Sequence, residues 1–182
     1  RIGQDALFSN TTGSQNTMVG YEAGYTINSG AGNVAVGYDS LHDLGTGQYN
    51  IAIGRSAVTN MLTGGKNVGI GANTLEANTT GDGNVCIGHY AGAGCTGTGN
   101  VLIGPADDEN ITNSTYRPPT PTGNRQLVIG SGTGAWIRGD SGFNVTFLEN
   151  VGVGGDLSIG GNLTVSGTTT TIDSTVIRVD DK

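Results

Sequence analysis

Few residues of this chain have the means to do chemistry, and their spacing decides what they can do. His42 and His89 are single imidazoles, with no Cys or Asp partner at the spacing of a metal motif. Asp107, Asp108 and Glu109 offer carboxylates to a hard cation, but three adjacent acids point different ways and lack calcium-loop spacing. Cys86 and Cys95 are read as small buried hydrophobes, a disulfide between them being the minor alternative. Asp5, Glu22 and Asp39 form an acidic column that continues as Ser56, Asn73 and Tyr90, which reads as a solvated face rather than a hydrolytic row. Arg138, Gly139 and Asp140 spell the integrin tripeptide, a short motif that an abundance of Gly produces by chance. Triplets such as Asn78-Thr-Thr and Asn144-Val-Thr have the glycosylation pattern, which matters only in a secretory pathway. There is no Ser/His/Asp order, no phosphate-cradling Gly loop before a helix and no carboxylate pair flanking an aromatic groove. The expectation is a protein that is not an enzyme and takes no cofactor.

The elements that must position these residues come from a repeat. Gly-x-x-Asn-h-s-h-Gly, with h apolar (once Thr) and s small in most copies, places Asn at 16, 33, 50, 67 and 84, spaced by 17, and then at 100. A degenerate copy runs from Gly123 to Gly130. A second column, Ala6, Ala23, Ser40, Ala57, Thr74 and Ala91, keeps the 17-residue step throughout. Seventeen residues suit two short strands and two turns, one coil of a parallel β-solenoid. The Asn-h-s-h-Gly segment alternates as a strand does, and the small-residue column predicts the second strand. Coils stack at about 4.8 Å, so that neighbours build a core no coil could bury alone.

The alternation assigns faces. Pairs such as Val34/Val36, Ile51/Ile53 and Val68/Ile70 are expected to point into the roll. Met18, Ala35, Ala52, Gly69, Cys86 and Leu102 are then expected on the outside, as a small apolar stripe against another chain: a trimer interface. Asn16, Asn33, Asn50, Asn67, Asn84 and Asn100 are read as a structural ladder, since an amide carries both donors and an acceptor. The column after each Gly holds Tyr21, Tyr38, Arg55 and His89, and these, with Tyr116, are candidate receptor contacts. Tyrosine suits sugar surfaces, being rigid and amphipathic.

Composition bounds the partners. The net charge is −7, and the eight basic residues form no cluster, so nucleic acid is not an expected partner. No apolar run approaches 18 residues, so no membrane insertion is expected. Gly supplies 34 of 182 residues and aromatics 5%, too little bulk for a compact globule, which leaves repetition as the way to bury a core. The chain opens at Arg1 in mid-repeat and reads as a piece of something longer.

Asn33-Val-Ala-Val-Gly37-Tyr-Asp-Ser40 and Asn50-Ile-Ala-Ile-Gly54-Arg-Ser-Ala57 resemble the head repeat of the YadA-like trimeric autotransporter adhesins. The likeness covers residues 1–104; the repeat is longer than that family's, and its residue after Asn is missing. It implies a left-handed parallel β-roll, three chains around one axis, and an adhesive or spacer role. Arrays of 17 residues with Gly-Tyr-x-Ala after the strand are similar to those of bacteriophage tail fibres. The segment Gly155–Asp173 resembles the linking segments of such fibres.

The remaining chain divides into a proline-rich insertion loop at 105–122, a degenerate repeat and capping region at 123–153 that carries Trp136, Phe143 and Phe147, and a β-rich intertwined stalk at 154–182. The expected function is a structural segment of a phage tail fibre in the virion, supporting or mediating attachment to the host. Its expected partners are itself as a homotrimer, other tail or fibre proteins, and a host surface glycan or protein. The alternatives are a bacterial trimeric adhesin head at the cell surface, a glycan-degrading tailspike, and an ice- or surface-binding solenoid, which would need a flat array of Thr.

Overall fold

The computed structural model describes residues 1–106, 122–131, 134–142 and 144–148, with isolated positions 151, 153, 158, 159 and 164. The insertion at 107–121, Phe143 and most of the stalk lie outside the described residues, and with them Tyr116 and the acids at 107–109. The chain divides into two units, residues 1–150 and 151–182.

The first unit is all-β among its described residues and winds as a β-solenoid. Its coils contribute β1 (Thr17–Val19), β2 (Val34–Val36), β3 (Ile51–Ile53), β4 (Val68–Ile70), β5 (Val85–Ile87) and β6 (Val101–Ile103) to one parallel sheet. β7 (Leu127–Ser131) continues it in parallel. The register is a strict 17-residue step, Met18 to Ala35 to Ala52 to Gly69 to Cys86. It then takes a step of 16 to Leu102. β8 (Gly134–Gly139) folds back antiparallel on β7, and β9 (Val145–Phe147) on β8, so the parallel stacking stops there. Trp136 and Phe147 of this meander are about half exposed.

The second strand expected at the small-residue column is absent. That side of each coil is a run of turns in which two positions adopt a left-handed backbone. One column is Asp5, Glu22, Asp39, Ser56, Asn73 and Tyr90; the other is Leu7, Gly24, Leu41, Val58, Leu75 and Gly92. A non-Gly residue there costs roughly 1–2 kcal/mol. Stacking offsets it: Leu41 donates its N–H to Ala57 O at 3.0 Å and Val58 to Thr74 O at 2.8 Å, and both side chains are fully buried.

The face assignment is also reversed. Met18, Ala35, Ala52, Cys86 and Leu102, the middle residues of their strands, are fully buried within the single chain, so they cannot be a trimer interface. Gly69 occupies the same inward register. A Cβ added to it would stand 2.6 Å from Thr74 Oγ1. The core lies between these residues and the turn columns Ala23/Ser40/Ala57/Thr74/Ala91 and Ile27/Leu44/Met61/Asn78/Cys95. The flanking Val and Ile residues point outward.

Candidate functional site

The outward face of β2 to β6 is an apolar stripe. Val36, Ile53, Ile70, Ile87 and Ile103 are 36–39% exposed, one per coil and in register. Beside them Val34, Ile51, Val68, Val85 and Val101 form a second, half-buried column. The stripe starts at Ile2, which is 70% exposed and bridges to Val19. β-Branched side chains fit a pleated surface, but ten of them in two unbroken columns exceed the scattered exposed apolar residues normal for a monomer.

The Asn column sits at the entry to each strand, inside the roll. Asn33 Nδ2 donates to Asn16 Oδ1 at 3.1 Å and to Gly47 O at 3.0 Å, while its backbone N–H donates to the same Oδ1 at 2.9 Å. Asn50, Asn67 and Asn84 repeat the pattern, and Asn100 makes the same two bonds to Asn84. Each amide thus uses both donors, or fills its acceptor, on the coils above and below. The ladder ends where the Gln126 N–H donates to Asn100 Oδ1. Its place is structural: five of its six members are fully buried.

At the corner after the sheet, aromatic rings stack along the axis. Tyr21 and Tyr38 lie 5.1 Å apart and nearly parallel; Phe8, Tyr25 and His42 form a second stack with spacings of 5.0 and 5.1 Å. Tyr21, Tyr38, Arg55 and His89 do share one exposed column. The stacking of Tyr21 on Tyr38 occupies one face of each ring. The Tyr21 hydroxyl bonds to the Glu22 carboxylate, whose charge adds to the effect and pushes the phenol up to about 12.

The same corner collects a set of groups that sequence spacing missed. Glu22 and Asp39 are one coil apart in one column, and His42 follows Asp39 by three residues. One ligand atom from each lies within 4.8 Å of the others. His42 Nε2 is 3.3 Å from Glu22 Oε2, and Nδ1 is 2.7 Å from Asp43 Oδ1. His42, which has no Cys or Asp partner at the spacing of a metal motif in the sequence, gains Glu22 from the neighbouring coil through stacking. Two carboxylates in one 17-residue column, with a His three positions on, was the available signal.

Both cysteines are free and buried, and burial pushes the Cys86 thiol well above its ordinary range. Asp140 of the Arg-Gly-Asp triplet closes a tight turn, its Oδ1 accepting from the N–H groups of Gly142 (2.9 Å) and Asn144 (3.1 Å). Those hydrogen bonds hold its carboxyl below the usual range. A polar cleft of about 440 Å³ runs past Thr46, Gln48, Tyr49, Thr63, Lys66 and Asp82. Among the described residues no helix is long and apolar enough to cross a membrane.

Comparison with protein-family models, with curated proteins and with solved structures finds no match to this chain. The solenoid and its outward apolar face therefore carry the functional argument.

Proposed function

We propose that this chain is a structural, non-catalytic segment of a trimeric bacteriophage tail fibre that supports attachment to the host surface. Three left-handed rolls share an axis, the 154–182 segment continues as an intertwined stalk, and loops and corners carry any contact with a host glycan or protein. The observation that carries this reading is the Val/Ile stripe. Covering the exposed third of one Ile is worth about 0.5–1 kcal/mol. Five such side chains per chain, with the half-buried column beside them, supply several kcal/mol per chain against an association cost of roughly 4–15 kcal/mol. Three copies meeting on one symmetric face add these gains without leaving the stripe in water. The resemblance of the repeats to tail-fibre arrays supports the same reading. The interface proposed here is the face opposite to the one the alternation suggested.

The test is a pair of substitutions, Ile53→Lys and Ile70→Lys, followed by sedimentation. Both positions point to solvent in the single chain, so the variant keeps the far-ultraviolet spectrum of the parent. Dissociation to monomer supports the proposal; an unchanged assembly state rejects the stripe as the interface.

A further inference from the structure

The corner formed by Glu22, Asp39 and His42 has the attributes of a metal site. The donor set is mixed, one imidazole nitrogen and two carboxylates, drawn from adjacent coils and convergent within 4.8 Å. A second observation concerns the other side of the imidazole. Asp43 Oδ1 lies 2.7 Å from His42 Nδ1, and Nε2 on the opposite side of the ring lies 3.3 Å from Glu22 Oε2. A carboxylate behind the ring is the usual arrangement of a metal-binding histidine.

A third observation is Asp39 Oδ1, which is shut off from solvent and has no hydrogen-bond partner. The scaffold around the ring is firm. The Thr26 N–H and hydroxyl both donate to His42 O at 2.9 Å, and Tyr25 stacks on the imidazole at 5.1 Å. Asp39 is fixed through its N–H to Tyr21 O at 3.0 Å.

We propose that Glu22, Asp39 and His42 bind one divalent transition-metal ion of the zinc class, clamping two adjacent coils at the corner. Zinc bonds of about 2.0–2.2 Å put tetrahedral ligands about 3.4 Å apart. Glu22 and His42 already stand at that separation. The imidazole selects for zinc-like ions over calcium or magnesium, which prefer oxygen.

The experiment uses the full chain, stripped with chelator and titrated with Co²⁺ followed by visible absorption, then with Zn²⁺ by calorimetry. The expected result is one ion per chain, and a higher thermal midpoint with Zn²⁺. His42→Gln is expected to weaken binding by about tenfold or more, and Asp43→Asn by about 10–100-fold through loss of the ring's anchor. His89→Gln, an exposed imidazole elsewhere, leaves binding unchanged. Glu22→Gln, on a partly exposed side chain, serves if His42→Gln does not fold. Absence of saturable binding below about 1 mM overturns the proposal. So does equal binding by the folded His42 or Glu22 variant.

Discussion

Asn33 and Asn50 stand one coil apart, and Asn33 Oδ1 accepts both the backbone N–H of Asn50, at 2.9 Å, and its side-chain amide, at 3.2 Å. The second proton of that amide goes to Gly64 O at 2.9 Å. One side chain type therefore ties three coils together, because only an amide carries two donors and an acceptor in so small a volume.

Asn50→Ala leaves the Asn67 N–H, the Asn67 amide and Gly64 O short of partners inside the roll. The expected loss is about 3 kcal/mol or more, read from urea denaturation. Asn50→Asp keeps the shape but sets a carboxylate against Asn33 Oδ1 and Gly64 O, with an expected loss of about 3–5 kcal/mol at neutral pH. Burial would raise that Asp above its unfolded value of about 3.9. Its stability is then greatest below that value and declines as pH rises, so Asn50→Asp is expected to recover in acid while Asn50→Ala does not.

Two columns of left-handed backbone make opposite predictions. Gly54 has φ +133°, and a Cβ on it would stand 2.6 Å from the carbonyl carbon of Gly71. Gly54→Ala is expected to cost about 3 kcal/mol or more. Lys66 has φ +60° in a column where Gly32, Gly83 and Gly99 adopt the same conformation. Lys66→Gly relieves about 1–2 kcal/mol of strain and loses about 0.5–1 kcal/mol to chain entropy. A thermal midpoint raised by a few degrees is the expected result, and a lowered one would show that Lys66 is held by its neighbours.

The solenoid itself was legible in the sequence because a 17-residue step in two independent columns has no other economical explanation. The faces were not, because period-2 alternation separates the two sides of a strand without fixing which side is buried. Strand-centre residues meet the left-handed turn column across the roll, and a large residue on one side faces glycine on the other: Met18 with Gly24 and Cys86 with Gly92. A Cβ on Gly24 would approach Met18 Sδ to 2.9 Å, and one on Gly92 would approach Cys86 Sγ to 2.5 Å. That inverse relation was readable in one sequence. The metal-type corner was harder to read, since Glu22 and His42 are 20 positions apart and meet only through stacking.

The Cys86 thiol is fully buried and pushed up by desolvation. Its folded value lies above the unfolded value of about 8.5. The unfolded chain therefore loses this proton first, and the stability contribution, complete below about pH 8.5, declines as pH rises above it. Cys86→Ala, in a column that accepts Ala35 and Ala52, is expected to flatten the alkaline fall of the urea midpoint. It is also expected that thiol reagents do not reach Cys86 until the chain unfolds.

In the proposed trimer the Val36–Ile53–Ile70–Ile87–Ile103 stripe is covered by copies of the same chain. The most direct measurement is the absolute mass of the purified protein by light scattering across a dilution series. A trimer has a mass three times the 18.4 kDa protomer, and that mass is expected to hold on dilution. A folded, monodisperse species at 18.4 kDa would contradict it.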